Sequence, residues 1–168
     1  MMIVAECYAN ACFAEELKKL LDKEGVQHIE IKHKSTMGRD RILRDLIRIA
    51  KMTSNLVVAV IDYEKGVARV YVEKQFRALK INGDVLLGIS KQRENLIAII
   101  FDPNIEEGLL CRVDQTLCRD IHYYREIKSN RACNVLEKYL KEVPIQKILY
   151  TIVNKLISLV SENQSNTP

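Results

Sequence analysis

Apolar residues gather into three short uninterrupted runs in the first part of the chain. The runs occupy residues 2–5, 56–61 and 95–101, and each of them ends beside an acidic residue. Strands that are covered on both faces read as continuous hydrophobic stretches, whereas half-exposed strands alternate between apolar and polar positions. These runs therefore predict buried strands.

Helical periodicity fills the space between the first two runs. Apolar residues recur every three or four positions over 11–23 and 39–52, which predicts two amphipathic helices. Residues 26–34 alternate and predict a strand at the edge of a sheet. Alternating strands and helices are typical of a mainly parallel α/β sheet with right-handed crossovers, and such sheets bind ligands at the carboxyl ends of their strands.

The rest of the chain predicts helices. Residues 105–118 and 130–142 favour helices, and residues 144–160 carry an unbroken apolar face. Residues 67–80 also favour a helix, although their Val-Tyr-Val would allow the start of a strand. We expect this face to pack against the sheet, with formation of a homodimer through 144–160 as the alternative.

Composition indicates a folded chain with one main domain. The 168 residues are 48% hydrophobic and 29% charged, as in globular proteins. We expect an α/β domain over 1–128, a C-terminal helical segment over 129–160 and a disordered tail over 161–168. Charges interrupt the long apolar stretches and no signal-peptide pattern is visible, so we expect a cytoplasmic protein without a membrane partner.

The cysteine pattern predicts thiols rather than a zinc site. The cysteines are Cys7, Cys12, Cys111, Cys118 and Cys133. They include no CxxC pair, and their odd number leaves at least one free thiol. We expect buried or half-buried reduced thiols, since free cysteine is a common small core residue. The many Ile, Lys and Glu residues and the absence of Trp would also suit a thermophile, in which intracellular disulfides occur.

Acidic residues follow each predicted buried strand. Glu6 follows the first, Asp62 and Glu64 end the second, and Asp102 ends the third, with Glu106 in the next helix. Carboxylates crowded at one sheet edge repel one another unless they bind a divalent cation or share a proton. Mg²⁺ and Mn²⁺ take such oxygen ligands. We therefore predict that Asp62 and Glu64 bind the metal, that Glu6 acts as acid or base or as a third ligand, and that Asp102 and Glu106 are reserve ligands.

Two of these strands, taken in order, resemble a known domain. The stretches Met2-Ile3-Val4-Ala5-Glu6 and Val58-Ala59-Val60-Ile61-Asp62-Tyr63-Glu64 look like the Toprim domain of topoisomerases, bacterial primases, small nucleases and overcoming-lysogenization-defect nucleases. The likeness spans residues 1–110, and residues 100–110 are similar to small stand-alone Toprim-like proteins. It implies a three-layer Rossmann-like sheet and Mg²⁺-dependent phosphodiester chemistry. It also gives Glu6 the acid–base role and the metal to Asp62 and Glu64.

Two residues depart from that family's pattern. Cys7 stands where the family usually has glycine, and Glu64 stands in place of its second aspartate. A Cβ at position 7 alters a turn that should approach phosphate, and the extra methylene of Glu64 displaces a bound metal. Both departures favour the alternative function, a non-catalytic Toprim-like binding or assembly module with a degenerate metal site.

Basic residues form a stripe on the helix predicted over 39–52, opposite its apolar face. With two lysines upstream, the candidate nucleic-acid-binding residues are Lys32, Lys34, Arg41, Arg44, Arg48 and Lys51. Such cations suit a phosphate backbone. The alternative is an ordinary solvated helix face, because Asp40 and Asp45 partly balance the charge.

A second nuclease motif is weaker. Glu30-Ile31-Lys32 matches the E-x-K of restriction-type nucleases, in which acids hold the metal and the lysine supports the attacking water. That site needs an acidic strand immediately before it, whereas residues 11–25 predict a helix. The preferred prediction is a Toprim-like metal-dependent nuclease, or a related phosphodiester-processing enzyme, acting on DNA or RNA.

Overall fold

One mixed sheet organises the molecule. The computed structural model describes residues 1–33, 39–64 and 66–165, without the side chains of 39–41, 43, 67–68, 117–118, 121, 124 and 162–165. Within these residues the strands are β1 (Met2–Ala5), β2 (Glu30–His33), β3 (Val57–Asp62), β4 (Phe76–Asn82), β5 (Val85–Ser90) and β6 (Leu96–Phe101). The helices are α1 (Tyr8–Lys23), α2 (Arg39–Lys51), α3 (Val67–Gln75), α4 (Ile105–Gly108), α5 (Thr116–Arg119), α6 (Ile121–Ile127), α7 (Ala132–Leu140) and α8 (Val143–Ser165).

The sheet is mostly parallel, as the sequence predicts. Its strand order is β2-β1-β3-β6-β5-β4. Strands β2, β1, β3 and β6 run parallel to one another. Strand β5 pairs antiparallel with β6, and β4 pairs antiparallel with β5. Ala5 aligns with Val60, and Asp62 aligns with Phe101, so β1, β3 and β6 end along one side of the sheet. We call this side the carboxyl edge and the opposite side the amino edge.

Helices cover both faces of the sheet. Side chains alternate along a strand, so Val58 and Val60 face the core that includes α1, α7 and α8. Ala59 and Ile61 face the second core, which contains residues of α2 and α3. Every residue of β3 is buried, which explains its continuous apolar sequence. The chain is thus an α/β protein with helices on either side of a six-stranded sheet in its described part.

The prediction of one helix over 67–80 is wrong in its second half. Helix α3 ends at Gln75, and Phe76 begins β4, which pairs with β5. A two-residue turn joins the strands, and Gly83 in it has φ of +54°, a conformation that glycine adopts readily. Pairing with β5 therefore overrides the local helical pattern.

The helix predicted over 105–118 is broken into short pieces. Helix α4 ends at Gly108, a 3-10 turn spans Leu110–Arg112, and α5 begins at Thr116. A Cβ on Gly108 would lie 2.9 Å from the carbonyl oxygen of Asp102, so this turn packs directly against the end of β6. The Asp114 carboxylate accepts the backbone N–H of Thr116 at 2.9 Å, which favours a turn over a continuing helix.

The C-terminal helices pack on the same face as α1. Ile145, Leu149 and Ile152 of α8 are fully buried in that core, as expected for packing against the sheet. The helix continues to Ser165, beyond residue 161 where the sequence predicted a disordered tail. By length and composition, residues Val143–Ser161 could cross a membrane, but the core helix of a soluble protein passes the same test, and 33% of the apolar window is buried here.

The expectation of reduced thiols is wrong for three of the cysteines, Cys12, Cys111 and Cys133. Cys12 of α1 and Cys133 of α7 form a disulfide with a Cα–Cα distance of 5.1 Å. Cys111 is also disulfide-bonded, whereas Cys7 is a free cysteine. The pairing of Cys12 with Cys133 depends on the docking of α7 against α1, which spacing along the chain does not reveal.

Candidate functional site

Two of the predicted acids meet at the carboxyl edge. The backbone N–H of Glu6 donates to the carbonyl of Val60 at 3.1 Å and so continues the pairing of β1 with β3. The Glu6 side chain then returns to the end of β3, where its Oε2 accepts the backbone N–H of Asp62 at 3.1 Å. The parallel pairing predicted from the two apolar runs therefore brings Glu6 and Asp62 together.

Asp62 is the buried centre of the site. It is 6% exposed, and its Oδ1 accepts hydrogen bonds from Asn10 Nδ2 at 3.3 Å and from the backbone N–H of Ile105 at 3.1 Å. Burial, with the negative charges of Glu6 and Glu106, raises the pKa of Asp62 to about 7 despite these hydrogen bonds. Both hydrogen bonds fall on Oδ1, so Oδ2 is the oxygen of Asp62 that a cation could bind.

Glu106 belongs to the same cluster. It lies in the first turn of α4, is only 2% exposed, and its Oε1 lies 3.9 Å from Lys128 Nζ. Burial is the main cause that raises the pKa of Glu106, and the negative charge of Glu64 adds to the shift. The negative charge of Glu106 also acts on Asp62, and Glu64 is half-buried.

Asp102 takes part in a different network. Its Oδ1 lies 3.9 Å from Arg69 Nη1, and the Arg69 guanidinium lies over the Tyr63 ring with its Cζ 4.3 Å from the ring centroid. Arg69 Nε also donates to Glu73 Oε1 at 3.4 Å, and the Tyr63 hydroxyl donates to the same oxygen at 2.9 Å. Asp102 thus forms a long ion pair with Arg69, which weakens its case as a metal ligand.

The first turn of α1 closes one side of the cluster. Cys7 is the N-cap, and its Sγ accepts the backbone N–H of Asn10 at 3.5 Å. Burial and the negative charge of Asp62 raise the pKa of Cys7 to about 12. Cys7 is consequently a neutral thiol at physiological pH, and a thiolate is the form needed for metal binding or nucleophilic attack.

Asn10 is a site residue that the sequence analysis missed. Asn10 is fully buried, and its side-chain Oδ1 has no hydrogen-bond partner among the described residues. The available signal was a polar residue on the apolar face of α1, between the buried Ala9 and Cys12. Buried polar atoms almost always have partners, so an orphaned amide oxygen beside carboxylates calls for an explanation.

The described acids alone do not form a complete metal cage. No group of three acidic, histidine or cysteine side chains in the described part of the chain is placed to hold a metal ion. Mg²⁺ usually keeps several waters and binds through one or two carboxylates. Asp62, its acidic neighbours and the Asn10 oxygen fit such a partly hydrated cation.

The predicted basic residues are dispersed along α2. Arg44 is exposed. Burial raises the pKa of Tyr71 in α3, the helix that follows β3, and the positive charge of Arg44 partly opposes that rise. Arg48 pairs with Asp45 at 3.4 Å, and its side chain is 72% exposed. The side chain of Arg41 and all of residue 34 lie outside the described residues.

Lys51 is remote from the acids. It lines a cavity of about 660 Å³ at the amino edge, together with Arg93 and Asn95, which precede β6. The six residues of β6 separate this cavity from the carboxyl edge by roughly 17 Å at the usual rise of a strand. Lys51 therefore cannot share a phosphate with the acidic cluster.

The glutamate and the lysine of the E-x-K motif form an ion pair with each other. Lys32 Nζ lies 3.3 Å from Glu30 Oε1, on the edge strand β2. Both side chains are largely exposed, at 41% and 61%. This arrangement is an ordinary surface ion pair.

Comparisons of this chain with protein-family models, curated proteins and solved structures find no match.

Proposed function

We propose that the protein is a divalent-cation-dependent phosphodiesterase acting on nucleic acid, a nuclease with a Toprim-like arrangement of acids. One observation carries this proposal: Asp62, buried at the end of the central strand, has its backbone N–H hydrogen-bonded to the Glu6 carboxylate, and the negative charges of Glu6 and Glu106 both raise its pKa. Keeping carboxylates together away from water is costly unless a cation or a proton compensates them. Ligand sites of parallel sheets also lie at this edge.

Mg²⁺ or Mn²⁺ suits the residues that converge there. Asp62 would hold the cation through Oδ2, with Glu64 and Glu106 as the nearby carboxylates. When bound, such a cation activates water and stabilises the charge that develops on phosphate. Asn10 and the Ile105 N–H hold Asp62 in place, since both donate to its other oxygen.

Glu6 is suited to proton transfer. Its hydrogen bond from the Asp62 N–H fixes one carboxylate oxygen, and it lies at the same edge as Asp62. A carboxylate held beside the reacting group can take a proton from water or return one to a leaving oxygen. Arg44, on the basic stripe of α2, would hold the phosphate backbone.

A second candidate is a non-catalytic Toprim-like binding or assembly module. The observation that favours it is the neutral Cys7 thiol at the N-cap of α1, in a turn that should approach phosphate. A pKa of about 7 would also let Asp62 hold a proton in place of a cation. Assembly through residues 144–160 would have to use the outer side of α8, because its inner side is in the core.

A cytoplasmic location is part of the proposal and sets a condition on it. Disulfides are rare in the cytosol of mesophiles, whereas they occur inside hyperthermophiles. The Cys12–Cys133 disulfide therefore fits a cytoplasmic protein only in a thermophilic setting.

Thermal unfolding with Mn²⁺ separates the two candidates. The enzyme should be stabilised by Mn²⁺ and should cleave single- or double-stranded DNA or RNA, whereas the Glu6→Gln, Asp62→Asn double variant should show neither effect. Glu137→Gln, on the exposed surface of α7, is the matched control and should behave as the native chain. A lack of both stabilisation and cleavage in the native chain would exclude the nuclease and favour the binding module.

A further inference from the structure

The acidic cluster contains one buried polar group that neither acid–base chemistry nor packing explains. Asn10 is fully buried, yet its Oδ1 has no hydrogen-bond partner within the described residues. Leaving a buried acceptor unsatisfied destabilises the fold, and an apolar residue would avoid that cost on this apolar face of α1. An asparagine here therefore implies a ligand for its oxygen.

The position of the amide indicates which ligand. Asn10 Nδ2 donates to Asp62 Oδ1, so the two ends of one rigid carboxamide lie beside the central carboxylate. The charged groups that act on Asp62 are the carboxylates of Glu6 and Glu106. An amide oxygen in negative surroundings suits a cation or its water shell rather than an anion.

We propose that Asn10 is a binding residue of the cation site, with Nδ2 orienting Asp62 and Oδ1 binding the hydrated divalent cation. This inference rests on the proposed function, because it takes the acidic cluster to be a Mg²⁺ or Mn²⁺ site. It explains how a site without three well-placed acids in the described residues can hold a cation. Removing a residue that orients a ligand typically weakens metal binding by about 10- to 100-fold.

The test is Mn²⁺ affinity, measured from the electron paramagnetic resonance signal of free Mn²⁺. Asn10→Leu keeps the side-chain size but removes both polar atoms, and it should weaken binding by about tenfold or more. Asn95→Leu is the matched control: Asn95 Nδ2 donates to three carbonyls, of Ala50, Thr53 and Asn55, at the amino edge. This control should lose stability but keep the native affinity.

Each result decides a separate claim. An Asn10→Leu protein that binds Mn²⁺ within about twofold of the native affinity would overturn the role of Asn10 and leave the metal site intact. A native protein that binds no Mn²⁺ would overturn the proposed function as well. If Asn10→Leu does not fold, Asn10→Ala decides: it also removes both polar atoms, adds no bulk to the core, and should weaken binding by about tenfold or more. A folded Asn10→Ala protein with the native affinity would also overturn the role of Asn10.

Discussion

The backbone N–H of Asp62 donates to Glu6 Oε2 over 3.1 Å, which ties the acid that follows β1 to the last residue of β3. Because the main chain makes this contact, the Glu6 carboxylate stays beside Asp62 whatever the protonation state of the Asp62 side chain. The negative charge of Glu6 is one of the causes that raise the pKa of Asp62. The pairing of β1 with β3 thus holds the carboxylates of Glu6 and Asp62 close together at the carboxyl edge.

The first prediction concerns stability without metal. Folding raises the pKa of Asp62 from 3.8 to about 7, so the folded chain binds the proton more tightly than the unfolded chain. This contribution favours folding below pH 4 and is lost as the pH rises to about 7. Asp62→Asn should therefore increase the free energy of unfolding at pH 8 by up to about 4 kcal/mol and change it little at pH 4.

Urea unfolding in the presence of EDTA at the two pH values measures this difference. Glu137→Gln, an exposed acid on α7, provides the control and should show no pH-dependent gain. An Asp62→Asn protein that is less stable than the native chain at pH 8 would contradict this prediction and show that other contacts compensate the Asp62 carboxylate.

The second prediction concerns competition between metal and proton. Since a cation binds the carboxylate form, Mn²⁺ affinity should rise about tenfold per pH unit below pH 7 and level off above it. Calorimetric titrations in buffers of different ionisation enthalpy should detect close to one proton released at pH 6. A native affinity that is constant between pH 5.5 and 8.5 would contradict the binding of the cation by Asp62.

The third prediction concerns the disulfide between α1 and α7. Cys12 and Cys133 are separated by 121 residues, so their bond restricts a long loop of the unfolded chain. Cys133→Ser should lower the free energy of unfolding by about 2–4 kcal/mol, as measured by denaturation in oxidising buffer. A native chain that shows the same stability as Cys133→Ser in that buffer would argue against the bond.

The fourth prediction separates two arginines of the basic stripe. The positive charge of Arg44 acts on Tyr71 of α3, whereas Arg48 lies one turn further along α2 and pairs with Asp45. Arg44→Gln should weaken binding of a short oligonucleotide several-fold more than Arg48→Gln, because each lost phosphate contact removes a salt-dependent contribution. Fluorescence anisotropy at two salt concentrations measures both, and equal losses would favour a non-specific basic surface.

Several features of this fold could be predicted from the sequence because they depend on local patterns. The apolar runs before Glu6, Asp62 and Asp102 mark buried strands, and parallel pairing then places their ends at one edge. Helix α2 likewise follows from its apolar periodicity. The closeness of Glu6 and Asp62 follows from this pattern of strands.

The remaining features depend on contacts between distant segments. Strand β4 forms because β5 is available to pair with it, and the Cys12–Cys133 bond requires α7 to dock on α1. The ion pair between Arg69 and Asp102 requires α3 to pack near the end of β6. Asn10 was missed for a different reason, since a single polar residue on an apolar helix face has no repeat to identify it.

The most direct test of the metal site is the anomalous scattering of Mn²⁺ in a crystal of the native protein soaked in MnCl₂ at pH 8. We predict one peak at the carboxyl edge, at a direct ligand distance of about 2.0–2.3 Å from Asp62 Oδ2, with a second oxygen from Glu6, Glu64, Glu106 or Asn10 in its coordination or water shell. The peak should be absent from Asp62→Asn crystals soaked in the same way. A native crystal with saturating Mn²⁺ and no peak near Asp62 would contradict a cation site at this edge.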